Sequence, residues 1–325
     1  MTQPAVTVSG LLFHDLVFGL PTAPKPGTEV WATQYAESPG GIANFAVALA
    51  RLGISTGLAA CFGADDHGDR LWHTLQDDEG IDLSRSARVD GWATPLTVAL
   101  AYDEDRALVT HGGAPPLSGD DLLAAPPYGE AVAAHIGPWP NEWLPKARAN
   151  GSLVFADVGW DPSERWDPAV LAQLEHVDVF VPNADEAMHY TGTTTPAQAL
   201  ERLAERVPMA VISDGRRGAL AIDAGTGERV DVPAVRVAAV DTTGAGDVFA
   251  AGFIAATLWR LPLTERVLFA NLVAALSVTR LGGADAAPRR GEVAAWRRDS
   301  TDERYAFLER LGDHLGQPGQ KEGRA

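Results

Sequence analysis

Asp241-Thr-Thr-Gly-Ala-Gly-Asp247 runs directly into the apolar stretch from Val248 to Trp259. A glycine-rich turn feeding a helix leaves several backbone N–H groups unpaired at its start, and these can cradle an anion. The helix dipole adds positive character at the same place. Asp247 in the first turn has two readings, a capping carboxylate or a base that takes a proton from a hydroxyl while the amides hold a phosphate. Gly244 and Gly246 favour the second, because a plain cap needs only one small residue and two glycines let backbone approach a ligand closely.

Three further segments can carry polar chemistry. Pro39-Gly40-Gly41-Ile42-Ala43-Asn44 opens a long helical pattern, and Asn44 offers a donor and an acceptor to hydroxyls, although it equally suits a loop-to-helix junction. Pro182-Asn183-Ala184-Asp185-Glu186 follows a strand-like run. Asn183 and Glu186 point the same way at a helix start and can organise hydrated Mg2+, or form a capping box. Ser213-Asp214-Gly215-Arg216-Arg217-Gly218 can line a nucleotide or make a hairpin turn.

These segments need elements to position them, and the pattern supplies them. Ala5–Val8, Gly57–Phe62, Ala131–Ile136, Leu153–Ala156, Val177–Val181 and Met209–Ser213 read as strands; Ile42–Leu52 and Asp69–Glu79 read as helices stopped by Gly53 and Gly80. Short apolar strands between helices predict a parallel sheet covered on both faces. Two segments, about 11–35 and 92–112, break the alternation; the second holds two β-like runs joined at Asp103-Glu104-Asp105. They predict a small antiparallel sheet standing off a single main domain over 1–315, with 316–325 a disordered tail.

Composition excludes several function classes. The chain has 325 residues, 26 Lys plus Arg against 43 Asp plus Glu, and a net charge of −17. That argues against nucleic-acid or anionic-membrane partners. The apolar stretch at Val248 is too short for the roughly 20 residues that span a bilayer. No Lys or Arg precedes Lys25, and Cys61 is the single cysteine, so a cytoplasmic location is expected. Lys25, Lys146 and Lys321 are the only lysines, and none makes a Walker Gly-Lys-Ser/Thr. Gly53-Ile54-Ser55-Thr56-Gly57 lies after a helix and before a strand, the reverse of a hydrolase elbow. Asp65-Asp66-His67 with Asp69 is expected to cap a helix and not to bind metal.

Taken together, the chain resembles the PfkB (ribokinase-like) family of carbohydrate kinases, from about Val6 to about Gly291. Gly40-Gly41 with Asn44 and Ala50-Arg51-Leu52-Gly53 is similar to the first family signature, and Asp241–Asp247 with Ala251-Gly252-Phe253 to the second. Asn183 with Glu186, the turn Ser213 to Gly218, and Gly10 with Asp15 and Pro26-Gly27 match further family motifs. The resemblance implies a three-layer α/β/α ribokinase-like domain with a β lid that closes over the substrate and can form a homodimer. It implies Asp247 as the base, with Gly244, Ala245 and Gly246 completing the anion hole. Asp15, Gly41 and Asn44 would hold sugar hydroxyls. Asn183 and Glu186 would order Mg2+ through water, and Thr242, Ser213, Gly215, Gly218 and Asn271 would lie along ATP. Many members bind a monovalent cation beside the anion hole, which here would be K+ at Asp241 and Thr243 and the segment after Thr279.

Departures narrow the acceptor. Members that handle ribose or phosphorylated sugars often have Lys after the glycine pair, where this chain has Ile42. A neutral sugar is therefore favoured over a sugar phosphate, unless Arg106 or Arg51 substitutes for the lysine. A nucleoside kinase of the same fold, or a non-catalytic sugar or nucleotide sensor, are the alternatives; Trp31, Trp92, Trp139 and Trp160 could stack on a sugar or base.

Overall fold

The computed structural model describes residues 3–102, 105–137, 139–161 and 163–315. In chain order its strands are β1 (Val6–Ser9), β2 (Leu12–Gly19), β3 (Gln34–Gly41), β4 (Thr56–Ala59), β5 (Cys61–Gly63), β6 (Ala87–Val89) and β7 (Leu96–Tyr102). They continue as β8 (Asp105–His111), β9 (Ala131–His135), β10 (Leu153–Asp157), β11 (Val179–Phe180), β12 (Met209–Ser213), β13 (Ala219–Asp223) and β14 (Arg229–Val232). Among the described residues the main sheet has eight strands in the order β14-β13-β12-β11-β10-β9-β1-β4. Its pairs from β4 to β12 are parallel, and β12-β13-β14 are antiparallel. The central strands β1 and β9 are buried nearly throughout, which fits their unbroken apolar sequences.

Helices cover both faces. On one side the helices Ile42–Arg51, Ala245–Leu258 and Leu263–Ser277 pack together in one core with Phe45, Phe253 and Phe269. On the other, Leu171, Tyr190 and Leu200 pack with Trp143 against Val132, Val154 and Phe180. The helix Ala245–Leu258 is apolar all round because Val248 to Ala256 are all buried. Among the described residues no helix is long and apolar enough to cross a membrane.

The smaller sheet has the order β3-β2-β7-β8. It is mixed and not wholly antiparallel as the sequence suggests, because β2 and β7 run parallel. Alternate residues face inward: Asp15, Val17, Thr97, Ala99 and Ala101 are buried, while Leu16, Phe18, Val98 and Leu100 are only half-buried. Residues 103 and 104 of the expected hairpin turn, and the expected tail over 316–325, lie outside the described residues.

Two local boundaries differ from the sequence expectation. Gly57–Phe62 is not one strand: the chain bends at Ala60, with β4 in the main sheet beside β1 and β5 paired with β6. The helix expected from Asp69 begins at Asp66, because the Asp65 carboxylate accepts from the Gly68 amide at 2.8 Å and caps it. Asp65 also accepts from the Thr94 amide and hydroxyl, so it ties the helix to the segment before β7.

Candidate active site

The site lies where the carboxyl ends of β9 and β10 meet the start of the helix Ala245–Leu258, the edge at which open parallel sheets bind ligands. Gly244 is the N-cap residue at φ 71°, and no side chain caps the helix. A side chain on Gly244 would be strained by that φ and would put Cβ 2.9 Å from the Asn44 carboxamide. The sequence places glycine there because helix start and Asn44 must nearly touch.

Asp247 is held from two sides. Asn44 Nδ2 donates to Asp247 Oδ2 at 2.8 Å, and His135 Nε2 lies 3.0 Å from Oδ1. With Asp247 ionised, His135 Nε2 is the donor. The His135 ring stands edge-on to Phe45, centroids 5.2 Å apart, which fixes its orientation. Asp157 is His135's partner in the parallel β9–β10 register, so two adjacent strands end in polar side chains. Among the described residues His135, Asp157 and Asp247 bring ligand-type atoms within 4.8 Å of one another.

The negative charge here is concentrated. Burial pushes the Asp157 carboxyl up from its ordinary range, and repulsion from Glu186 and Asp247 adds to the rise. Burial also pushes Glu186 up, against the opposing pull of the Asn183 amide and His135. Asp15 is pushed up to about 7 by burial and then by Asp247, with a hydrogen bond from Thr97 acting the other way. These buried carboxyls make the site a place where a cation or a hydroxyl-rich ligand is well received.

Asp15 lies against Gly40, where a Cβ would collide with its carboxyl. Gly41, at φ 60°, closes the turn, since a Cβ there would meet the Leu11 carbonyl and the Phe13 ring. Asp15, Gly41 and Asn44 thus border one region beside Asp247. Asn183 and Glu186 form a reciprocal capping box: Asn183 Oδ1 accepts from the Glu186 amide at 2.9 Å and Glu186 Oε2 from the Asn183 amide at 3.1 Å. The Ser213 amide donates to the Pro182 carbonyl, so the turn Ser213–Gly218 stands beside this helix start. Gly215 and Gly218 both have positive φ, and a Cβ on Gly218 would collide with the Val232 carbonyl. The turn joins the antiparallel strands β12 and β13, as the hairpin reading of it expects.

The remaining candidates are placed as follows. Asp241 is buried and accepts from the Thr243 and Gly282 amides, both at 2.9 Å, tying the glycine turn to the segment after Thr279. The Thr243 hydroxyl is buried, with no hydrogen-bond partner among the described residues. Thr242 is bonded through its hydroxyl to Arg106 of β8. Asn271 is buried and donates to the Val232 carbonyl at 3.3 Å, a contact internal to the fold. Arg51 does not reach the site: it is engaged by Glu79 and by the Asp285 and Ala287 carbonyls. His135, Asp157 and Thr97 were not singled out by sequence reasoning. Their one sequence signal is a polar residue closing, or set within, an apolar strand.

A profile described as pfkB family carbohydrate kinase matches residues 20–290. The ribokinase of Haemophilus influenzae is 27% identical over 315 residues, covering 89% of this chain and 97% of that one. The aminoimidazole riboside kinase of Salmonella typhimurium is 32% identical over 278 residues, covering 78% of this chain and 86% of that one. The structure of Arabidopsis thaliana ribokinase complexed with ribose and ATP is similar at a TM-score of 0.76 and 26% identity, covering 90% of this chain and 98% of that one. A glycine turn opening a buried helix over an engaged aspartate, on a ribokinase-like α/β fold, agrees with these matches: the chain belongs to the pfkB family of carbohydrate kinases, phosphotransferases with an alcohol group as acceptor.

Proposed function

We propose that the protein transfers the γ-phosphoryl group of ATP to a hydroxyl of a small neutral sugar, with Asp247 as the base. The observation that carries this is Asp247 at an uncapped helix start, bonded to Asn44 and His135 and bordered by Asp15. Asp15, Gly41 and Asn44 bind the sugar, so that its reacting hydroxyl donates to a remaining lone pair of Asp247. The hydroxyl oxygen attacks the γ-phosphorus as its proton passes to Asp247, and the bond to the β,γ-bridging oxygen breaks, leaving ADP with that electron pair. The amides from Gly244 to Asp247 receive the charge on the transferred group without reorganising.

ATP lies along Thr242 and the turn Ser213–Gly218, with Asn271 holding that region from below through Val232. Glu186, its carboxyl pushed up by burial among other carboxylates, and Asn183 fit a hydrated Mg2+, which neutralises phosphate charge when bound. The Thr243 hydroxyl, which has no hydrogen-bond partner among the described residues, and the Asp241 carboxylate, each of whose oxygens accepts one backbone amide and keeps a further lone pair, fit a K+. The smaller sheet is the lid; it carries Asp15 on its inner face and excludes water when closed over the acceptor. Its outer face, with Phe18, Leu20, Val30, Val98 and Leu100 around a cavity of about 300 Å³, is the surface for a homodimer.

A nucleoside is the second acceptor class. Trp139 and Trp160 stand in the loops after β9 and β10, 80% and 56% exposed, where an aromatic aglycone attached to the sugar can stack. The aminoimidazole riboside kinase match supports the same reading. ATP consumption with ribose, fructose, adenosine, inosine and pseudouridine separates the two, with Mg2+ and with or without K+. Turnover confined to free sugars supports the first reading, and turnover confined to nucleosides the second.

A further inference from the structure

We propose that His14 and His67 form a proton-sensitive latch that fastens the smaller sheet to the main domain and opens when both imidazoles are charged. The latch stands on geometry alone, whereas its effect on an acceptor, through Asp15, rests on the kinase reading above.

Strand β2 carries two buried polar residues side by side, and they face opposite ways. Asp15 points inward with Val17. His14 shares the outer face with Leu16 and Phe18, which pair with Glu37 and Tyr35 of β3. Leu16 and Phe18 are half-buried, but His14 is only 1% exposed. The helix Asp66–His73 covers it: His67 Nδ1 lies 3.0 Å from His14 Nδ1, with the rings edge-on and their centroids 4.8 Å apart. That helix belongs to the main domain, since Leu71 lies in the core with Phe45 and Phe62, and Trp72 stands edge-on to Phe62. His14 Nε2 also lies 3.2 Å from Glu37 Oε2. The Tyr35 hydroxyl and Arg70 Nη1 donate to the same carboxylate at 2.7 Å and 3.0 Å. Two strands of the sheet are thus joined to one helix of the main domain through a single run of polar atoms. The string Asp65-Asp66-His67, in which Asp65 supplies the cap, gains a role for its histidine.

The facing nitrogens can hold one hydrogen between them and not two. The Tyr35 hydroxyl, with Arg70 beside it, holds the Glu37 carboxyl below its ordinary range, so His14 Nε2 is the donor to it. With both rings neutral, His14 Nδ1 is bare and accepts from His67 Nδ1–H. A first added proton leaves the contact intact, because one ring still offers a bare Nδ1. A second sets N–H against N–H and charge against charge, and the contact must open. Burial pushes His14 below its ordinary 6.5, and His67 adds to the fall, with Glu37 opposing it and Arg70 contributing further. The folded chain therefore takes up this proton less readily than the unfolded chain. The stability His14 contributes is present above 6.5 and is lost as pH falls below it. Other charged groups near the pair are Asp65, Asp69 in its ion pair with Arg88, and His111, which pairs with Leu96 on the far side of β7 from His14. His67 is half-buried, so protons reach the pair from solvent. His14 adjoins Asp15 in the chain, so opening the latch loosens the strand that presents Asp15 to the acceptor.

Amide hydrogen exchange reads the latch in the full chain without any ligand. The wild type, His67→Asn and His67→Ala are compared at pH 7.5 and 5.0, with rates corrected for their intrinsic pH dependence. Asparagine offers an amide donor near the Nδ1 position and cannot take a proton. Protection of the wild type over β2 and the helix Asp66–His73 should fall about tenfold at the lower pH. His67→Asn should hold its protection within about threefold, and His67→Ala should be weakly protected at both pH values. Near-ultraviolet circular dichroism confirms that each variant is folded. Equal protection of the wild type at the two pH values overturns the proposal. So does a loss in His67→Asn as large as that of the wild type, which assigns the change to Asp15, Glu37 or His111. Nitrogen NMR of the wild-type imidazoles gives a reading that needs no variant: His14 and His67 should titrate in two coupled steps, and two independent titrations overturn the latch. ADP release with ribose and with inosine carries the test to function. For whichever is turned over, acceptor KM should rise about fivefold from pH 7.5 to 5.0 in the wild type and less than half as much in His67→Asn. An equal rise in both proteins overturns the link to Asp15. Silence with both compounds counts against the kinase reading, while exchange alone decides the latch.

Discussion

Asp247 has each carboxylate oxygen engaged once, one by the Asn44 amide and one by His135, and each oxygen keeps a further lone pair able to accept from a hydroxyl. Asp247→Asn removes the proton acceptor while keeping size, and turnover is expected to fall by about 10²- to 10⁴-fold with ATP affinity within a few-fold. Calorimetric binding beside steady-state kinetics checks both halves. Asp15 gives a separate handle. Its carboxyl titrates near 3.8 when exposed and is pushed up to about 7 in the folded chain. The folded protein therefore keeps this proton over a range where the unfolded chain has released it, and stability falls as pH rises from near 3.8 through about 7. Asp15→Asn removes that loss: it should match the wild type in stability at pH 4 and exceed it at pH 8 by on the order of 2–4 kcal/mol, while acceptor binding weakens. Urea unfolding at the two pH values measures the difference, and equal slopes with pH for both proteins would contradict it. At this scale Asp247, Asn44 and Glu186 were legible because each sits in a short string of diagnostic residue types. His135 and Asp157 were not, because each merely ends an apolar strand and only the β9–β10 register brings them together.

The elements explain why the glycines are where they are. Gly244 must be glycine because its φ is 71° and because Asn44 fills the space a side chain would need. Gly244→Ala should cost about 1–2 kcal/mol in stability from the left-handed backbone alone. It should also lower turnover by more than tenfold, because the amides and Asp247 move together. Differential scanning calorimetry and kinetics on the same preparation separate these effects. The helix starts at Ile42, Ala184 and Ala245 were visible from sequence, since glycine turns and capping residues are local signals. The break at Ala60 was not, because Gly57 to Gly63 is uniformly apolar and the change of sheet depends on partners 26 or more residues away. The parallel pairing of β2 with β7 escaped for the same reason: alternation marks a strand and not its neighbour.

The whole molecule couples a large, mostly parallel sheet, which positions Asp247 and the glycine turn, to a small sheet that carries Asp15 on its inner face. The fold class was legible from alternation of strands and helices, whereas the order β14-β13-β12-β11-β10-β9-β1-β4 was not, since no local signal specifies crossovers. The small sheet's outer face tests the dimer proposal. Val109 lies on that face opposite Val98 and is 64% exposed, so Val109→Glu should fold normally and shift a dimer to monomers in sedimentation velocity. A wild type that is monomeric at tens of micromolar would contradict the proposed interface.

We propose phosphoryl transfer from ATP to a sugar-type hydroxyl with Asp247 as base. Its most direct test is ADP release from the wild type and Asp247→Asn across ribose, fructose, adenosine, inosine and pseudouridine, with the product identified by phosphorus NMR. The wild type is expected to release ADP only with an acceptor and to leave a phosphate monoester on it, and the variant is expected to lose at least a hundredfold in rate. Acceptor-dependent turnover that survives in Asp247→Asn within a few-fold of the wild type would contradict it.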